Sequence, residues 1–226
     1  MPFLFCLLFY KRINTKALKA FFYYTIILFI FNVISIFVLA VLGKPTIYFL
    51  TSRIFNVLEF ASITYFLSLI VNNSLAKKLF LISIVPFTIY AITDYVMGNK
   101  NVFNNHSHIV SSFLFILYII YFFFEKMRRV TATPLYQTRV FWVCVGLLLY
   151  FTGSFFFILF INVPKKIDIE LVKIMSMVYM FSVVIKNIIL CLSLLATNSD
   201  GEDNEMLSIP TDILLNEPYL PSTAKN

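Results

Sequence analysis

Four ionisable side chains, Arg53, Glu59, Asp94 and Lys186, fall inside stretches of this chain that are otherwise almost wholly apolar. A charge at the centre of a membrane-spanning helix costs about 2.5 to 3.5 kcal/mol on insertion scales, so each of the four needs a partner or a polar cavity. Ser52, Asn56 and Glu59 recur at helical spacing and share one face, with Arg53 nearby on the same helix. Asp94 lies one turn beyond Tyr90. Lys186 shares a face with Tyr179, Ser182 and Ser193.

Such a set has three readings. The groups lock the helices together as ion pairs or hydrogen bonds, they line a polar cavity that takes a small ligand or proton, or Arg53 and Lys186 snorkel toward the headgroups. The helices of Glu59 and Lys186 run in the same direction. Counted from their starts at 1.5 Å per residue, the two groups differ in depth by roughly 5 Å, which a lysine side chain can span. Arg53 and Asp94 lie near a common end of their own helices, so a second pair is expected there.

Other groupings carry less chemistry. Gly146 and Gly153, seven residues apart, share a face that would admit a close neighbouring helix. His106-Ser107-His108 offers two imidazoles without a third ligand and reads as a pair of solvated loop histidines. Cys6, Cys144 and Cys191 sit far apart in apolar stretches and lack metal-site spacing, so they read as small buried hydrophobes. Glu170 and Lys173 form an ordinary helix-surface pair, and no phosphate-binding loop, nucleophile elbow, HExxH or EF-hand is present. No cofactor is called for. Glu59 has no second carboxylate or histidine near it in sequence to complete a general acid and base pair, which leans away from an enzyme.

The elements that must position these groups are six apolar segments, at 20–42, 47–71, 79–97, 108–124, 140–162 and 171–196. Crossing a hydrocarbon core of about 30 Å takes roughly 20 helical residues, a length most of these segments reach. Composition agrees: 60% of residues are hydrophobic, 13% are charged and the mean hydropathy is +0.88, against about 25% charged in a soluble domain. A chain of 226 residues cannot bury that much apolar surface in one soluble core. The expected fold is therefore all-α, a polytopic transmembrane helix bundle of six long spans plus a short or truncated first helix.

The net charge of +7 follows topology and does not point to nucleic acid. Ten basic residues (Lys11, Arg12, Lys16, Lys19, Lys77, Lys78, Lys126, Arg128, Arg129 and Arg139) fall in alternate connections, against Lys44, Lys100, Lys165 and Lys166 in the others. The positive-inside rule then puts the basic connections in the cytoplasm and the protein in the cell (inner) membrane as a multi-pass protein with a cytoplasmic carboxyl end. Tyr23, Tyr24, Tyr48, Tyr95, Tyr121 and Trp142 lie near segment ends, where amphipathic rings prefer the headgroup layer. Residues 2–10 are apolar but only half a span. With Lys11 and Arg12 after them they have the shape of the cytoplasmic end of a spanning helix, and not of a signal peptide. Residues 1–196 thus form the bundle, and 197–226, with six acidic residues against Lys225 and with three prolines, read as a disordered acidic cytoplasmic tail. Within that tail, 207–215 is a candidate docking motif.

Three runs carry a resemblance: Asn56-Val-Leu-Glu59-Phe60, Phe141-Trp142 leading to Gly146-Leu-Leu-Leu-Tyr150-Phe151-Thr-Gly153, and Lys186-Asn187-Ile-Ile-Leu. These soft hydrophobic patterns, over residues 1–196, resemble a bacterial family of short seven-helix integral membrane proteins of unassigned function. The resemblance implies a complete first helix before the basic connection, which makes residues 1–10 a truncated start, and a genomic association with sensor kinases. It implies no activity for Glu59 or Lys186.

Two function classes follow. One is a sensory or signalling component that binds a small ligand or responds to the bilayer and reports to a cytoplasmic or membrane signalling protein. The other is a small transporter, or a purely structural membrane partner protein. Against transport stand the lack of an internal repeat and of a clearly broken helix, with Pro86 the only breaker in mid-span. An open polar pocket at Glu59 would favour ligand binding, and a close Glu59–Lys186 contact without one would favour a structural bundle.

Overall fold

A computed structural model describes residues 15–40, 45–97, 106–128, 136, 138–161 and 169–195. Among them the chain forms six helices: α1 (Lys16–Ala40), α2 (Pro45–Ile70), α3 (Ser74–Met97), α4 (His106–Met127), α5 (Arg139–Ile161) and α6 (Ile169–Leu195). All six are long and apolar enough to cross a membrane. The expected short first helix at 2–10 and the acidic stretch 197–226 lie outside the described residues, as does Cys6.

Several helices begin before their apolar runs do, because polar side chains cap them. The Thr15 hydroxyl accepts from the Leu18 amide at 3.3 Å, Asn73 Oδ1 from the Leu75 amide at 2.9 Å, and the Thr138 hydroxyl from the Phe141 amide at 3.3 Å. The third span accordingly starts at Ser74, not Leu79, and takes Lys77 and Lys78 into its first turns. Pro86 sits inside α3 and removes one backbone donor there without ending the helix.

Each helix packs on its neighbour in sequence, and α2 also packs on α4. The order is up and down, so one end of the bundle gathers the basic residues and the amino termini of α1, α3 and α5. At this basic end the carboxylate of Glu125, on α4, accepts from the backbone amides of Asn72 (3.1 Å) and Asn73 (2.8 Å), which pins the α2–α3 turn. Tyr121 accepts from Asn73 Nδ2 at 3.2 Å.

The half of the bundle nearer the basic end is closely packed. Phe60, Ile63, Phe66 and Leu67 of α2 meet Phe115, Ile119 and Phe122 of α4 and Cys144, Leu147 and Phe151 of α5, all fully or almost fully buried. Phe60 stacks on Phe87 with ring centres 3.9 Å apart, and Phe115 lies 4.3 Å from Phe151. Large apolar side chains point outward instead, among them Ile36 and Phe37 on α1, Ile82 and Val85 on α3, and Met180, Phe181 and Val184 on α6. Glu59, Arg139 and Lys186 are buried while many large hydrophobic side chains face outward, a pattern unlike a water-soluble domain and compatible with a multi-pass membrane protein.

Candidate functional site

Toward the other end the core opens into a cavity of about 470 Å³, within the range of about 300–1,000 Å³ usual for small-molecule sites. Five helices supply its walls: Thr25, Leu28 and Asn32 from α1, Tyr48, Ser52, Phe55, Asn56 and Glu59 from α2, His108 from α4, Tyr150, Phe157 and Ile158 from α5, and Tyr179, Val183, Lys186 and Asn187 from α6. Here α1 and α6, first and last of the six, face each other across the cavity without packing closely, while α5 and α6 are in close contact. Gly153 permits the latter. A Cβ at this position would overlap Ser182 Oγ and lie 2.7 Å from Ser182 Cβ. At Gly146 the nearest atom, Ile189 Cγ2, would stand 3.3 Å away.

Glu59, Asn56 and Lys186 are 1%, 2% and 3% exposed. The Tyr24 hydroxyl donates to Glu59 Oε1 at 2.9 Å. Lys186 Nζ stands 3.7 Å from the centre of the Tyr150 ring, a cation over an aromatic face. No ion pair joins Glu59 to Lys186 among the described residues. The direct contact that their similar depth allows is replaced by a tyrosine on each group and a cavity that both line. Tyr24, only 1% exposed, is a ligand of the buried carboxylate and not a headgroup-belt residue.

Beside this pair Asn56 organises a polar network. Asn56 Oδ1 accepts from Ser111 Oγ at 3.0 Å and lies 3.1 Å from His108 Nδ1, while Asn56 Nδ2 donates to Ser107 Oγ at 3.3 Å. An amide oxygen only accepts, so His108 Nδ1 is the donor, and in the neutral ring Nε2 accepts from Ser154 Oγ, 2.9 Å away. The solvated-loop reading is corrected for His108, whereas His106 stays exposed. Both belong to the first turn of α4, and His108 is tied to two other helices because α4 starts level with the middle of α2 and not at its end.

The remaining residues singled out in the sequence lie elsewhere. Arg53 Nη1 and Asp94 Oδ2 form an ion pair at 3.4 Å off the cavity wall, with Arg53 also over the Tyr95 ring at 5.5 Å. Asp94 Oδ2 further accepts from the Ser107 amide at 3.4 Å, at the amino terminus of α4, where a carboxylate is favoured. Tyr90, one turn before Asp94, is 40% exposed and does not line the cavity. Ser182 bonds to the Val178 carbonyl at 2.9 Å and Ser193 to that of Leu190 at 2.7 Å. Among the described residues no group of three histidine, cysteine or acidic side chains is placed to hold a metal ion.

Set against protein-family profiles, characterised proteins and solved structures, the chain matches none of them.

Proposed function

We propose that this chain is a multi-pass protein of the cell (inner) membrane that binds a small polar ligand in the Glu59–Lys186 cavity and acts as a sensory or signalling component. One observation carries the reading. Two buried, oppositely charged side chains share a cavity yet each is held by a tyrosine, so both keep unused hydrogen-bonding capacity facing the same space. A purely structural lock would bring the two charges together and close the space between them.

In this reading the basic end is cytoplasmic, the cavity opens toward the opposite side, and α6 delivers the chain after residue 195 to a cytoplasmic or membrane signalling partner. The bacterial seven-helix proteins that residues 56–60, 141–153 and 186–190 resemble would be its relatives.

The test is thermal unfolding of the purified protein in lipid nanodiscs against small amines, carboxylates and zwitterions. At least one class should raise the melting temperature saturably, as ligand linkage requires. Ser52→Phe, which fills the cavity without removing a charge, should abolish the shift. No saturable shift from any class, or a shift that survives Ser52→Phe, overturns the proposal.

A further inference from the structure

Resting on the ligand-binding reading above, we infer that the cavity selects a small zwitterion: one ammonium and one carboxylate carried on an apolar body, as in an apolar or ω-amino acid. Among the described residues the cavity wall carries one acid, Glu59, and one primary ammonium, Lys186, and the other charged pair of this region, Arg53 with Asp94, lies outside it. Within a low-dielectric site a ligand with a single charge would satisfy one of these groups and leave the like charge of the other facing it. A zwitterion meets both, its ammonium on Glu59 and its carboxylate on Lys186. Two other polar groups of the wall are already engaged: Asn56 and His108 bond to each other, Asn56 also to Ser111 and His108 to Ser154.

The walls suit the body of such a molecule. Phe157 and Tyr179 stack with ring centres 4.9 Å apart, and Phe31 stacks on Phe55 at 3.9 Å, giving flat apolar panels on two sides of the charged floor. Lys186 can leave the Tyr150 ring to meet a carboxylate. Tyr24 can remain on one oxygen of Glu59 while the other accepts an ammonium.

The experiment uses two zwitterions with different charge separations, phenylalanine and 6-aminohexanoate, and their single-charge counterparts phenethylamine, 3-phenylpropionate, hexylamine and hexanoate. Dissociation constants are taken from ligand-dependent melting of the full chain in nanodiscs. At least one zwitterion should bind about tenfold more tightly than both of its counterparts, equivalent to about 1.4 kcal/mol. In Glu59→Gln that zwitterion should bind no better than its carboxylate counterpart, and in Lys186→Met no better than its amine. Ser52→Phe serves if either charge variant fails to fold, and should remove binding of all six compounds. An amine or a carboxylate that binds as tightly as the matching zwitterion overturns the zwitterion assignment and leaves ligand binding standing. The absence of binding by all six overturns both.

Discussion

Tyrosine, not lysine, is the immediate partner of the buried carboxylate. A hydrogen bond to a charged group contributes roughly 1.5 to 3 kcal/mol net. Tyr24→Phe should therefore lower the stability of the purified protein by about 1 to 3 kcal/mol in an unfolding titration. Tyr23→Phe, one residue away and exposed, should change it by less than about 0.5 kcal/mol. Equal effects would mean that Tyr24 does not hold Glu59. Which residues mattered was partly legible in the sequence for a physical reason: Asn56, Glu59 and Lys186 are costly where they lie, so their presence required an interior site. Tyr24 and His108 were not legible. Tyrosine and histidine near the end of an apolar run are equally well accommodated in a headgroup layer or a loop, and only the vertical offset of α4 brings His108 level with Asn56.

Among the elements, apolar length located all six helices but not their starts. Thr15, Asn73 and Thr138 set those starts through capping bonds that hydropathy does not register. Lys16, Lys19, Lys77, Lys78 and Arg139 consequently sit in the first turns of α1, α3 and α5, where the helix dipole disfavours a positive charge. Helix electrostatics alone would place these residues elsewhere. Glu125 was also unmarked in the sequence, since its role depends on the turn at 71–73 folding back onto α4. The seven-residue glycine spacing, by contrast, did foretell a close helix approach, and the two sites differ in how close. Gly153→Ala should destabilise the protein by about 1 to 3 kcal/mol because Ser182 must move, whereas Gly146→Ala should cost clearly less. Adding Ser182→Gly to Gly153→Ala should restore part of the loss. Equal destabilisation by the two alanines would contradict the close α5–α6 crossing at Gly153.

The whole molecule divides into a tightly packed half and an open half, with Glu59, Tyr150 and Lys186 at the boundary. Composition and span length announced a helical bundle, and the buried charges admitted a polar cavity as one reading of three without deciding for it. It arises because α1 and α6 face each other without close packing, an outcome of the assembly of all six helices. With the basic end cytoplasmic, as proposed, a cysteine in place of Lys100, in an otherwise cysteine-free protein, should react with an impermeant thiol reagent on intact cells, and one in place of Lys126 should not. The reverse pattern would invert the bundle. Ligand binding requires a wet, accessible cavity inside a lipid-embedded bundle, and two adjacent residues of α6 separate that from any alternative. Val183 lines the cavity, whereas Val184 points outward. In nanodiscs a small hydrophilic methanethiosulfonate should modify Val183→Cys rapidly and leave Val184→Cys unreacted. Faster reaction at Val184 would place that face in water and the cavity position in a dry interior, and would contradict a ligand site within the bundle.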